Sequence, residues 1–550
     1  MIAFFVRNKA HTIPYFLYYL EQLDYDKQKI NLWIRSDHNV DLSASLIKHW
    51  IPKAKKMYNH VSFKDDNSTS AFSDERGPFD WSADRMKHMI MLRQEALNVS
   101  RQMNLRYIFY IDVDNILVNS QVLRHLISLQ RIAVAPMLNT TASPHYSNFW
   151  AGMDEQGFYK RTLEYKPIQL RHTQGTFQVP MIHSTLLLDL SDPLAKHLNY
   201  DPPPPEYTGP LDDIIQFAMN AQYYNVPLNV NNEDFFGYVL LPLEVHNSLS
   251  QEVEQFAHIK AQNIIADTPL QKLDNLPIQN PPLSKLGFDQ IYVINLERRP
   301  DRRVKMEQCL QELGVDHKMV NAVDGKKITK DQLDALAYEM LPNYEDPHLK
   351  RMLTMGEIGC FLSHYFIWKD MLDNNYERII ILEDDVRFGL YFKTKLFSTL
   401  AEADELDIKW DLMYLGRKVL DYKKESYVEG SESLVWPYYT YWTVGYALTN
   451  AGASKLVNQN PVSKMIPVDE YLPLMFDQHP EAEWKEHFYP RDLTAISPYP
   501  PLIEPTHYTG EPGYFTDTEQ SVIVEEVLRQ KSDQGSLQDH GIDVAAHSEL

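Results

Sequence analysis

Arg378-Ile379-Ile380-Ile381-Leu382-Glu383-Asp384-Asp385 is the stretch that decides the fold. Its branched apolar residues and Leu382 predict a strand buried on both faces, and that strand runs straight into three carboxylates. In open α/β sheets, ligands gather at the carboxyl ends of strands. Three adjoining acids repel one another and lose hydration, so a bound divalent cation is a natural compensator; carboxylate oxygens suit a hard ion such as manganese or magnesium. A solvated turn after a core strand is the plainer reading of the same letters.

The first half shows the same device. Ile2 to Val6 reads as strand, Tyr15 to Gln22 as helix, and Ile30 to Ile34 as strand again, ahead of Asp37-His38-Asn39. A helical pattern from Met86 to Met103 then leads into Tyr107-Ile108-Phe109-Tyr110-Ile111-Asp112-Val113-Asp114. This βαβ rhythm predicts an α/β class with parallel strands. Asp-x-Asp after a buried strand resembles the arrangement by which nucleotide-sugar transferases of the Rossmann-like GT-A type hold a metal against a diphosphate, so Asp112 and Asp114 are candidate metal ligands. Tyr146 to Trp150 could face a sugar or pack as core, and His183 could bind metal or phosphate or be structural. Asp212-Asp213 reads best as a helix cap.

Residues 259–286 turn rich in Pro and Asn with little periodicity, which predicts a linker between an N-terminal domain (1–258) and a C-terminal domain (287–520). The second domain opens with a strand from Phe288 to Leu296, followed by Arg298, Arg299 and Arg302, whose guanidinium forks suit a diphosphate. A short helix and a flexible tail are expected over 521–550.

At 550 residues, 44% of them hydrophobic, the chain can bury two or three cores. Acids outnumber bases 75 to 53, a net charge of −22, which disfavours nucleic acid and anionic membrane and suits a basic macromolecular acceptor. Cys309 and Cys360 are too few for a disulfide framework, and no apolar run reaches the roughly twenty residues of a membrane span. Met1 to Val6 is too short for a secretory h-region, so a signal peptide is expected to be missing from this chain. The ending His547-Ser548-Glu549-Leu550 is close to the KDEL/HDEL address, which predicts the endoplasmic reticulum lumen. Asn67, Asn98 and Asn139 open glycosylation sequons that agree with that compartment.

Asn295-Leu296 with the Arg cluster, Gly359-Cys360-x-Leu362-Ser363-His364, Leu382-Glu383-Asp384-Asp385 and Pro467-Val468-Asp469 together resemble glycosyltransferase family 25. Ser36-Asp37-His38-Asn39, Asp112-x-Asp114-Asn115, Ser147 to Trp150 and Pro505 to Gly510 extend the resemblance to the animal members that modify collagen. The resemblance implies two tandem GT-A domains, and a manganese-dependent, inverting transfer of galactose from UDP-galactose to hydroxylysine of collagen. It implies a reaction centre in the C-terminal domain. There Glu383, Asp384 and Asp385 hold the metal with His507, and Arg298, Arg299 and Arg302 take the diphosphate. Asp469 serves as base with Glu470 as substitute, and Asp385 is counted with the catalytic groups. In the first domain Asp37 and Asp112 fall beside a donor nucleotide. Collagen, lysyl hydroxylases and a second copy of the chain are the implied partners. Two other readings stay open: a glucosyltransferase in the first domain, and a non-enzymatic secretory adhesion protein.

Overall fold

The computed structural model describes residues 1–518 except 67, 144, 278–280, 348–349, 509–510 and 512–515. Asn67, Thr509, Gly510, and the helix and tail expected over 521–550 lie outside the described residues. The chain divides into two compact units, Met1–Asn280 and Pro281–Leu550.

The first unit is built on an eight-stranded sheet in the order His60–Asp66, Asn31–Asp37, Ile2–Val6, Tyr107–Ile111, Thr185–Asp189, Ala133–Pro136, Leu228–Asn231, Thr176–Val179. The first four run parallel, and Thr185–Asp189 pairs antiparallel with Tyr107–Ile111. Continuous apolar strands of this kind need cover on both faces. Two buried clusters supply it, one around Phe4, Phe16 and Trp50 and one around Trp33, Tyr110 and Phe149.

The second unit repeats the scheme with the order Lys318–Asn321, Gln290–Asn295, Arg378–Glu383, Thr440–Thr449, Leu412–Val419, Ala495–Pro498, Leu434–Trp436, Ser426–Tyr427. Arg378–Glu383 is parallel to Gln290–Asn295 and antiparallel to Thr440–Thr449. Each acid-ended strand sits where the strand order of its sheet reverses, beside Ile2–Val6 in the first unit and Gln290–Asn295 in the second, the place at which an α/β sheet opens a crevice.

The expected linker begins too early. The helix Leu249–Ile265 runs through residue 259 with Ile259, Ala261 and Ile264 buried, and Leu273 and Leu276 pack into the first unit's core. The prolines further on hid the helical period of these last two turns. Cys309 and Cys360 are both free thiols. No helix among the described residues is long and apolar enough to cross a membrane.

Candidate active site

The carboxyl end of Arg378–Glu383 forms one wall of a cleft of about 270 Å³. Each acid there has a different partner. Thr443, on the antiparallel neighbour strand, donates its hydroxyl to Glu383 at 2.6 Å. Asn295, at the end of the parallel neighbour, donates to Asp384 at 2.6 Å. Arg302, in the first turn of the helix Pro300–Leu313, reaches both Asp384 and Asp385 at 3.2 Å. One oxygen of Asp385 is buried with no hydrogen-bond partner. Burial, with the Glu383 charge beside it, pushes Asp385 up to about 7 despite Arg302. Burial likewise raises Asp384. On Glu383 burial acts upward too, but His364 and Thr443 outweigh it and hold the group down.

His364 comes from the helix Met355–Asp373, which starts on a capping box between Thr354 and Glu357. The helix lies close against the turn before Gly325. A Cβ on Gly359 would stand 2.4 Å from the Val323 carbonyl, so this position of the Gly-Cys-x-Leu-Ser-His motif has no room for a side chain. Trp368 can only donate, and it donates to the Tyr446 hydroxyl at 2.9 Å. The Tyr446 hydroxyl also lies 2.9 Å from His364 Nδ1, and His364 Nε2 stands 3.6 Å from Glu383, beyond hydrogen-bond distance. Cys360, His364 and Glu383 lie within 4.8 Å of one another.

The cleft has three strand-end acids, one guanidinium shared between two of them, and an orphaned carboxylate oxygen. That donor set fits a hard divalent cation. His507 reaches the cleft mouth because Ile503–Pro505 pairs with Val386–Phe388, directly after the acids. Arg298 and Arg299 grip Asp517 at 2.5 and 3.1 Å, a carboxylate held by two forks, and Arg298 lines the cleft. Arg302, expected at the diphosphate, lies in the cleft lining against the acid cluster. Asp469 lines the cleft, and burial, with Glu470 and Glu357 nearby, raises its proton affinity well above an ordinary carboxylate's. The substitute base fails on geometry. Glu470 is buried and accepts from Tyr439 and from His479, each at 2.8 Å, outside the cleft lining.

Several lining groups escaped the sequence reading. Trp442 adopts φ 70° at a bulge and presents its ring to the cleft 5.7 Å from Tyr508. That backbone conformation costs a non-glycine residue about 1–2 kcal/mol. Thr443 and Asp517 were also missed. No local pattern marks them, because a bulge and a contact distant in sequence place them.

The first unit has its own cleft of about 220 Å³, lined among others by Asp37, Asp112 and Asp114. Asp37 accepts from His38 at 2.8 Å and His88 at 3.3 Å. Asp114 is paired with Lys9 at 2.8 Å, and Asp112 with Arg93 at 3.1 Å. Burial still pushes Asp112 up to about 6. The metal expected between these acids thus meets donors already matched by side-chain cations. His183 lines this cleft, and burial with Arg93 nearby lowers it to about 4, which leaves the ring neutral. Phe149 is core, whereas Tyr146 faces the cleft. Asp212 caps the helix Asp213–Tyr223 through Ile215 N–H. Asn98 is exposed on its helix, and Asn139 accepts from Arg171.

Residues 1–260 match the model of "Glycosyltransferase family 25, N-terminal domain", and residues 288–472 match "Glycosyltransferase family 25 (LPS biosynthesis protein)". The human "Procollagen galactosyltransferase 2" is 43% identical over 95% of this chain and 83% of its own length. The Xenopus laevis "Procollagen galactosyltransferase 1-A" is 42% identical over 95% of this chain and 85% of its own. An Aedes aegypti "Glycosyltransferase 25 family member" is 43% identical over 97% and 89%. Two α/β units with acid-ended strands at their switch points, each matched by a domain of one family, give a tandem GT-A architecture, and the chain belongs to glycosyltransferase family 25.

Proposed function

We propose that this chain transfers galactose from UDP-galactose to hydroxylysine side chains of collagen, and that the reaction takes place in the cleft of the second unit. One observation carries the reading: Glu383, Asp384, Asp385, Arg298 and Asp469 line a single cleft in a chain 43% identical to a procollagen galactosyltransferase.

Glu383, Asp384 and Asp385 would hold the divalent cation, with His507 at the mouth; bound there, the ion neutralises charge on a departing diphosphate. The residues do the rest. Arg298 and Arg299 exchange Asp517 for phosphate oxygens, which their forks fit equally well. The acceptor hydroxyl oxygen bonds to the anomeric carbon from the face opposite UDP, the bond from that carbon to the phosphate oxygen breaks, and the hydroxyl proton passes to the Asp469 carboxylate. Thr443 and Asn295 hold Glu383 and Asp384 in place. Trp442 and Tyr508 offer an apolar wall of the kind a sugar face packs on. The location that accompanies this reading is the endoplasmic reticulum lumen.

The test is release of UDP from a panel of UDP-sugars with a hydroxylysine-containing collagen peptide, on the full chain and its variants. UDP-galactose should be consumed, and Asp385→Ala should abolish transfer while leaving the unfolding temperature in place. Asp112→Ala should spare the reactive centre. Undiminished turnover in folded Asp385→Ala, or loss of chemistry only in Asp112→Ala, would move the reaction out of this cleft. The latter result would favour the glucosyltransferase reading of the first unit.

A further inference from the structure

The Asp-x-Asp of the first unit carries a different charge pattern from the acids of the second. Lys9 pairs with Asp114 at 2.8 Å and also with Glu252, a buried residue of the helix Leu249–Ile265. Arg93 pairs with Asp112 at 3.1 Å and with buried Asp213 at 2.5 Å. Each cation therefore bridges a cleft carboxylate to a second acid inside the protein. Burial works against the Lys9 charge, but Asp114 and Glu252 outweigh it and raise its pKa, so the ammonium is permanent. A divalent ion between Asp112 and Asp114 would have to expel Lys9 and leave the buried Glu252 with His11, 3.3 Å away, as its one remaining cationic partner among the described residues. These residues do not fit a metal.

They do leave room for an anion. Arg7 and Arg85 both line this cleft and share the carboxylate Glu75, at 2.7 and 3.5 Å, so two guanidinium groups stand side by side at one acid. The Ser184 hydroxyl, in the cleft lining, is buried and has no hydrogen-bond partner, and Arg7 Nε is in the same condition. An aromatic wall stands beside them. Phe72 stacks on His38 at 3.9 Å, and Trp81, nearly half exposed, carries the Arg85 guanidinium at 4.1 Å. Flat rings for a base, forks for phosphates and an unpaired hydroxyl meet at the carboxyl ends of parallel strands, where α/β sheets bind nucleotides.

We propose that the cleft of the first unit binds a nucleoside diphosphate without a divalent cation, with the Lys9 ammonium standing where a metal would otherwise neutralise the acids. The proposal is independent of the reaction assigned to the second unit.

The test uses the full chain carrying Glu383→Gln, Asp384→Ala and Asp385→Ala, which removes the three acids of the other cleft. UDP binding is measured by calorimetry in EDTA and again with Mn2+, and bound Mn2+ is counted by electron spin resonance. One UDP should bind per chain in both media, with dissociation constants agreeing within about twofold, and no Mn2+ should be retained. In that background Arg85→Ala should weaken UDP by about tenfold. Asp114→Asn, which preserves shape but removes a would-be metal ligand and a negative charge, should not weaken it. UDP binding that appears only with Mn2+, or that Asp114→Asn abolishes, would restore an ordinary metal site. No UDP binding in either medium would show that the cleft is not a nucleotide site.

Discussion

Deleting the Arg302 charge should tighten metal binding. The guanidinium lies 3.2 Å from both Asp384 and Asp385, so an entering divalent cation must share those oxygens with it or push it aside. Two unit charges about 4 Å apart interact by about 4 kcal/mol at an effective dielectric near 20. Arg302 keeps 20% of its side chain exposed, and solvent screening reduces the usable part to about 1–2 kcal/mol. In Arg302→Met, which keeps the stem and loses the charge, Mn2+ should therefore bind about tenfold more tightly in the absence of nucleotide. Calorimetric or spin-resonance titration of wild type and variant reads this directly, with UDP titrated afterwards. Unchanged or weaker Mn2+ binding would refute the competition. If UDP affinity alone fell, Arg302 would be a diphosphate ligand instead, as the sequence reading expects.

Adjacent acids should behave oppositely: Asp469→Asn should lower kcat by about 10²- to 10⁴-fold. Glu470→Gln should leave kcat nearly intact and destabilise the second unit by about 1–3 kcal/mol, through its bonds to His479 and Tyr439. Equal kinetic damage from both would undo the choice of base. In the first unit, burial pushes Glu252 upward, but Lys9 and His11 prevail and hold it at about 2, against an ordinary 4.5. A depressed carboxylate stabilises the fold above its unfolded pKa, so about 3 kcal/mol should be present above pH 4.5 and be lost as pH falls toward 2. Glu252→Gln should flatten that acid limb in pH-dependent unfolding, and an unchanged limb would contradict the pairing. With a net charge of −22, raising ionic strength should increase KM for a basic collagen peptide more than KM for UDP-galactose. Equal sensitivity would count against charge steering.

What the sequence made legible, and what it did not, follows from the range of the interactions. Ile379 to Leu382 and Ile108 to Ile111 are short apolar runs rich in β-branched and aromatic residues, the composition of strands covered on both faces; the two-unit α/β architecture followed from them. The acids were legible because they adjoin those runs. Their compensation was not, because Lys9 and Arg93 reach Asp114 and Asp112 from other elements. Asp469 and Glu470 were read as interchangeable because they are neighbours in sequence. In the helix Val468–Met475 successive residues point about 100° apart, which turns one to the cleft and the other to His479.

The two clefts share a plan and differ in one charge relation. In each unit the strand parallel to the acid-ended one, Ile2–Val6 or Gln290–Asn295, runs on into the segment that delivers a cation to the acids, Lys9 in one case and Arg302 in the other. Lys9 is also held by the buried Glu252 of the first unit, so moving it leaves that carboxylate to His11. Arg302 contacts the acids themselves, beside a third carboxylate and an Asp385 oxygen with no partner, so a stronger cation can take its place. Possession of an acid-ended strand therefore does not decide which cleft takes a metal. In the first unit the local cation is tied to a buried acid, and loosening that tie through Glu252→Gln is the smallest change expected to let a divalent ion in.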